Sequence, residues 1–269
     1  MMWTALAIFS FFCLFVIYLY RPNPRIHKTK LCANHYAHRG LYDHQTGIPE
    51  NSMMAFRRAK HQGYGCELDV QCTKDGKLVV FHDDDLKRLT GVDGLVSQLK
   101  YSELESLRLL GTNEHIPLFK EVLDLELKEL LIEIKGTKAR QRVVLALLKD
   151  LKSYKGQFSV CSFDPLILME LKRHAPMIHR GLIMEDPWLN PKHSLLIKMV
   201  LSLGIFVPLI HPDYLSKDIQ YDVWFYGLFR LLKGRTTVWT VKSIEAEHQI
   251  KHEVDGIIFE NYLPYDKVS

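Results

Sequence analysis

Residues 3–20, Trp-Thr-Ala-Leu-Ala-Ile-Phe-Ser-Phe-Phe-Cys-Leu-Phe-Val-Ile-Tyr-Leu-Tyr, carry no charge, whereas the rest of the chain alternates short apolar runs with amphipathic stretches. As a helix the opening segment rises about 27 Å at ~1.5 Å per residue, close to the ~30 Å hydrocarbon thickness of a bilayer. The pattern predicts a single membrane span over 3–20. A cleaved signal peptide is the competing reading, but no basic segment precedes the run and no small-x-small cleavage site follows it. Trp3, Tyr18 and Tyr20 suit the two membrane interfaces.

Beyond a linker containing Pro22 and Pro24, Tyr36-Ala-His38-Arg39-Gly40 reads as a strand that ends in polar residues. Asn51 and Ser52 are N-cap residues for a helix over 53–62, which Gly63 closes. A Lys-Asp-Gly turn joins two strand-like segments between Glu67 and Asp83, an Asp- and Gly-rich loop covers 83–96, and helices are predicted over 98–109 and from Pro117 to about 126. From residue 129 strands and helices alternate. Strands are expected at 129–136, 157–163, 178–184, 204–210, 236–241 and 256–260, and helices at 138–153, 164–174, 192–203, 217–233 and 244–251. Such repetition indicates a parallel sheet with helices outside it. The number of repeats favours an α/β fold closed into a (β/α)8 TIM-type barrel over 34–269, preceded by the one transmembrane helix. There is one strand candidate too many. Only about a dozen residues separate Asp69 from His82, too few for a crossover helix, so the barrel is expected to be irregular near the 67–82 hairpin.

Glu67 and Asp69 are two apart, so on a strand both leave by one face while Leu68 and Val70 leave by the other. Two adjacent carboxylates repel, which makes sense chiefly if a cation lies between them. Carboxylate oxygens without a nearby Cys or His pair point to a hard ion, Mg²⁺, Ca²⁺ or Mn²⁺. The plainer reading is two exposed strand carboxylates paired with lysines. His38 and Arg39, Glu67 and Asp69, His82, and Glu133 and Lys135 all fall at ends of predicted strands, which is where barrel active sites lie. By residue type alone His38 is no better a candidate than His35 or His44 among 13 histidines, Arg39 with Glu50 could be a plain ion pair, and Lys135 could be a strand-end surface charge.

Charge and cysteine content narrow the options. Residues 1–30 hold Arg21, Arg25, Lys28 and Lys30 and no acid, which leaves 31 basic and 31 acidic residues in the remainder. That balance argues against nucleic-acid binding. All four basic residues follow the span, so the positive-inside rule predicts that residues 21–33 and the domain after them lie on the cytoplasmic side of a single-pass membrane protein. The five cysteines are scattered and form no C-x-x-C pair, so neither a disulfide framework nor a zinc site is indicated.

Over roughly residues 34–262 the chain resembles the glycerophosphodiester phosphodiesterases, enzymes with a TIM-barrel fold. The motifs that carry the resemblance are His38-Arg-Gly, Pro49-Glu-Asn, Glu67-Leu-Asp69, Val80-Phe-His82-Asp83, Leu89-Thr-Gly, Glu133-Ile-Lys135 and Val238-Trp-Thr-Val. The resemblance implies that Glu67, Asp69 and Glu133 hold one divalent cation, Mg²⁺ or Ca²⁺, and that His38 and His82 are the acid-base pair. It further implies that Arg39 and Lys135 contact the phosphate, and that Glu50 is a supporting acid which orients a catalytic residue. Near the C-terminus the match loosens: Lys242 stands where an Asn often follows Trp-Thr-Val, and Phe259-Glu260 replaces a common Thr-Asp.

These residues suit phosphodiester hydrolysis, because a cation with fixed Arg and Lys side chains stabilises charge gathering on the phosphoryl oxygens. The expected reaction is metal-dependent hydrolysis of a glycerophosphodiester to glycerol 3-phosphate and an alcohol. The nearest alternative is a lysophospholipase D that releases lysophosphatidic acid from lysophospholipids, and a third is a noncatalytic, membrane-tethered head-group-binding module. The aromatic stretch 221–235 is apolar almost all round a helix and ends in basic residues. It reads either as an outer barrel helix or as a second contact with the lipid bilayer beside the active-site mouth.

Overall fold

The computed structural model describes residues 2–23 and 34–264. Most of the basic linker expected over 21–33 therefore lies outside the described residues, with Arg25, Lys28, Lys30 and Cys32. Among the described residues there are nine strands: β1 (His35–Ala37), β2 (Gly65–Cys72), β3 (Leu78–Val80), β4 (Glu129–Ile134), β5 (Gln157–Ser162), β6 (Arg180–Met184), β7 (Tyr214–Asp218), β8 (Arg235–Val241) and β9 (Gly256–Phe259). All except β3 run parallel in sequence order, and β1 pairs with both β2 and β9, which closes an eight-stranded barrel.

The surplus strand is explained by β3, which pairs antiparallel with β2 through Val70 and Val80. The hairpin extends β2 past the barrel rim and then returns. Phe81 N–H donates to the Asp69 carbonyl at 3.0 Å, so the chain comes back to the level of the strand-end acids. Gln71 fastens the return by donating its side-chain amide to the carbonyls of Phe81 and Asp83.

Helix α1 (Met2–Tyr20) precedes the barrel and α2 (Met53–Gln62) follows β1. Ser52 is the N-cap of α2, its Oγ accepting from Ala55 N–H, and Gly63 ends the helix in a left-handed conformation. Between β3 and β4 lie α3 (Lys87–Thr90), α4 (Tyr101–Leu104) and α5 (Phe119–Leu123). The helix expected over 98–109 is reduced to α4 and isolated turns. Its apolar positions mark burial, since Val96, Leu104 and Leu109 join Phe81, Leu86 and Ile116 in a satellite core. Helices α6 (Arg140–Leu151) and α7 (Pro165–His174) follow β4 and β5.

The largest departure from the pattern lies between β6 and β7. Residues 204–210, expected as a strand, form instead a turn and α9 (Val207–Ile210), which follows α8 (Leu195–Ser202). Pro208 lacks the N–H a central strand needs but fits the first turn of a helix. The strand itself is β7, which starts at Tyr214 directly after Pro212-Asp213, so the helix expected from 217 begins only as α10 (Trp224–Leu231). Helix α11 (Ile244–Ile250) follows β8.

Strand alternation decides what faces where. Leu68, Val70, Leu130, Ile132 and Ile134 point outward into the main core under the helices, while Tyr36, Leu131, Cys161 and Ile258 fill the barrel. Burying such side chains is worth about 1.5–3 kcal/mol each. On β2 and β4 the same inward face carries Glu67, Asp69 and Glu133 toward the C-terminal rim.

Candidate active site

Asp69 and Glu133 are direct neighbours in the parallel β2/β4 register, and Glu67 lies one inward position below. One oxygen from each of Glu67, Asp69 and Glu133 lies within 4.8 Å of the others, and all three residues are buried. This is a costly arrangement. Burial, with the charges of Asp69 and Glu133 added, pushes the Glu67 carboxyl well above the usual range. Burial raises Glu133 to about 7, although Lys135 pulls against it. At Asp69 burial pushes up too, but Lys135, His82 and Arg39 more than offset it and hold the group below its ordinary value. Three convergent buried carboxylates without sulfur or imidazole among them are a donor set for one hard divalent cation.

Two cationic side chains border the acids. Lys135 Nζ lies 2.8 Å from Glu133 Oε1 and 3.3 Å from Asp69 Oδ1. Arg39 donates its backbone N–H to Glu67 Oε2 at 3.0 Å and its guanidinium to Glu50 Oε1 at 2.6 Å. Arg39 has a φ of 55°, and the Gly40 that follows has a φ of +77°. A Cβ on Gly40 would lie 2.9 Å from that of Ala55, so the His-Arg-Gly turn can press onto the start of α2 only with glycine. Glu50 is pushed up by burial but held below its usual pKa by Arg88 and Arg39. Among the described residues it pairs with Arg39 and Arg88, and no contact joins it to His38 or His82.

The two imidazoles are held alike. His38 Nδ1 lies 2.6 Å from Glu260 Oε2, and His82 Nδ1 lies 2.7 Å from Asp83 Oδ1. A carboxylate can only accept, so in each ring Nδ1 carries the proton and Nε2 is the atom left for chemistry. His38 Nε2 lies 4.0 Å from Glu67 Oε2. Burial lowers the pKa of His82, partly opposed by Asp69. Asp83 is held from its far side by Arg88, which also forks onto both oxygens of Glu50.

All the expected site residues converge: His38, Arg39, Glu67, His82, Glu133 and Lys135 line one cavity of about 490 Å³, with Asp69 behind Lys135 and Glu50 behind Arg39. Several partners were not singled out for a role by the sequence reading. Glu260 accepts from His38 and also from the Tyr42 hydroxyl, and Lys242 Nζ lies 3.0 Å from its other oxygen. Asn51, read as a cap and as part of Pro49-Glu-Asn but given no role, donates its side-chain amide to Asp69 Oδ2 at 2.8 Å. Arg88 lies in α3, within the segment read as an Asp- and Gly-rich loop, next to the Leu89-Thr-Gly motif. The position of Glu260 just past the end of β9 was a usable signal, because His38 stands just past the end of β1 in the same way. Trp239, stacked edge-on against Phe163 with ring centroids 5.4 Å apart, forms an aromatic wall of the cavity.

Residues 38–262 match the model of the glycerophosphoryl diester phosphodiesterase family. A glycerophosphodiester phosphodiesterase of Bacillus altitudinis is 45% identical over 244 residues, covering 82% of this chain and 92% of the relative. A lysophospholipase D of Rattus norvegicus is 37% identical over 272 residues, covering 85% of this chain and 82% of the relative. Among solved structures, a phosphodiesterase of Oleispira antarctica in complex with the product sn-glycerol-3-phosphate superposes with a TM-score of 0.72. It is 23% identical and the match covers 85% of this chain and 93% of that one.

Proposed function

This chain belongs to the glycerophosphoryl diester phosphodiesterase family and is a phosphoric diester hydrolase, and from that premise we propose that it hydrolyses glycerophosphodiesters to glycerol 3-phosphate and an alcohol. The observation that carries the reading is the convergence, in one cavity, of two carboxylate-held imidazoles with a buried acidic triad and two cations.

Glu67, Asp69 and Glu133 would hold one divalent cation, Mg²⁺ or Ca²⁺, and a bound ion supplies charge stabilisation to the phosphoryl oxygens. Lys135 and Arg39 bind and orient the anionic diester, Arg39 being held in place by Glu50 and Glu50 in turn by Arg88. His38 and His82 divide the proton work through Nε2. One accepts the proton of the attacking hydroxyl as the new P–O bond forms, and the other donates a proton to the departing alkoxide as the old P–O bond breaks. Each carboxylate at Nδ1 stabilises its imidazolium. The attacking hydroxyl belongs either to water or to the substrate's own glycerol 2-hydroxyl.

Helix α1 is long and apolar enough to cross a membrane, and we take it as a single span with the barrel on the cytoplasmic side, supported by the basic residues that follow it. The same chemistry serves a diester with or without an acyl chain on its glycerol, and a lysophospholipase D relative favours considering both.

Incubating the full chain in lipid nanodiscs with glycerophosphocholine, in Mg²⁺, in Ca²⁺ or with a chelator, tests the reaction. The expected outcome is glycerol 3-phosphate and choline with cation and none with chelator. Metal-independent turnover, or release of glycerol and phosphocholine, would refute it. Trapping a cyclic glycerol phosphate would assign the attack to the substrate hydroxyl.

A further inference from the structure

A second cavity, of about 570 Å³, adjoins the active-site cavity and shares Phe163, Ile183 and Glu185 with it. Its size is that of a small-molecule pocket, about 300–1,000 Å³. Its walls are largely hydrocarbon: Leu182 and Met184 from β6, Ile197 and Val200 from α8, Val207 from α9 and Phe225 from α10. The cavity lies between β6 and the helices α8 and α9, with α9 and the turn before it occupying residues 204–210 in place of a strand.

Helix α8 is peculiar on its own. Six of its eight residues are Leu, Ile, Met or Val, yet none is buried, and Leu195 and Leu196 are 64% and 71% exposed. Trp188, Leu189, Ile205 and Leu209 on the flanking segments are also exposed. An apolar surface of this kind is unfavourable in water and marks a contact with something apolar. The end of α1 meets the same region. Tyr20 donates its hydroxyl to the Leu203 carbonyl at 2.8 Å, and its ring lies 4.9 Å from Trp224 and 6.0 Å from Phe225, a wall of the cavity. The segment suited to a bilayer therefore joins the barrel beside the cavity's outer helices.

We propose that the apolar cavity receives the single acyl chain of a monoacyl glycerophosphodiester, a lysophospholipid, which enters from the bilayer past α8. This assignment rests on the phosphodiesterase reading of the adjoining site. One cavity offers Arg39, Lys135 and an acidic triad for an anionic diester, and its neighbour offers hydrocarbon, which is the division of an amphipathic substrate. Glu185 and Phe163 stand at the junction, where the polar glycerol gives way to the chain.

The test uses the full chain in nanodiscs with glycerophosphocholine and with lysophosphatidylcholines of increasing chain length, kept below micelle formation. In the wild type kcat/KM should rise with chain length by up to about fourfold per methylene, as for hydrocarbon leaving water. Val200→Trp, which fills the cavity, should lower turnover of the longest lysophosphatidylcholine at least tenfold and leave glycerophosphocholine turnover unchanged. A flat chain-length series, or equal loss on both substrates, would overturn the proposal. Photolabelling with a lysophosphatidylcholine bearing a diazirine at the chain terminus decides the matter independently of turnover. Adducts should fall within residues 182–207 and be lost in Val200→Trp; adducts confined to other segments would overturn the assignment. Absence of turnover on every diester with those adducts retained would instead count against the hydrolase reading alone.

Discussion

His38 Nδ1 and Glu260 Oε2 lie 2.6 Å apart, although 222 positions separate them in the chain. The contact joins the ends of the first and last barrel strands, and it fixes the tautomer of one of the two histidines in the cavity. Glu260 acts through His38, so it is a positioning residue. Glu260→Ala should lower kcat about 10- to 100-fold with little change in KM, by analogy with partners that orient metal-bound histidines. Glu260→Gln, which keeps one acceptor for His38 Nδ1, should recover part of the loss in kcat. Steady-state kinetics showing no loss in kcat, or the same loss in both variants, would mean that Glu260 is only structural.

The same pair bears on stability. Burial pushes the Glu260 carboxyl up, but His38, Lys242 and Tyr42 more than offset this and hold it at about 2, below its ordinary 4.5. A folded-state pKa below the unfolded one contributes stability that is present above about pH 4.5 and is lost as pH falls through about 2. With solvent screening at the rim, the contribution is about 2 kcal/mol. Denaturant unfolding of wild type and Glu260→Gln should therefore differ most near neutral pH and converge below pH 4.5. A gap that stays constant down to pH 3 would sink this account.

His38→Ala and His82→Ala should each reduce kcat by about 10²- to 10⁴-fold, the usual weight of a positioned proton donor or acceptor. Both rings lie in a cavity wall, so the circular dichroism spectrum should be preserved. Wild-type-like rates for either variant would remove that residue from the mechanism.

The acidic triad sets stability against function. Glu67 is buried beside Asp69 and Glu133, and its charge is unfavourable without a cation. Glu67→Gln should raise the melting temperature of chelator-treated protein by about 2–4 °C for each kcal/mol of repulsion relieved, while abolishing turnover. Added Mg²⁺ or Ca²⁺ should raise the melting temperature of the wild type and not of the variant. Calorimetry showing a lower melting temperature for metal-free Glu67→Gln would contradict the repulsion argument.

Topology is testable through cysteine. Cys66 and Cys161 are buried and Cys13 lies in the apolar helix, which leaves Cys32 and half-buried Cys72 as the sites on the barrel side. In intact cells a membrane-impermeant maleimide should leave the chain unlabelled, and lysis should expose it. Labelling before lysis would place the barrel outside.

Local periodicity alone determined a good deal. Residues two apart on a strand share a face, so Glu67 with Asp69, and Glu133 with Lys135, could be paired from the chain, and the alternation of strands with helices implied a barrel with its chemistry at the strand ends. The motif residues read as a site do converge on one cavity. Tertiary structure decided what depends on chain closure. Glu260 meets His38 only because β9 lies beside β1, Arg88 bridges Glu50 and Asp83 only because the loop folds back, and His82 reaches the acids because β3 returns antiparallel along β2. None of these contacts has a sequence period, since each joins segments whose separation reflects topology and not local geometry. The mistaken strand at 204–210 has the same origin. An apolar β-branched run signals burial in either conformation, and only the packing of α8 and α9 over β6 chose the helix and, with it, the apolar cavity beside the active site.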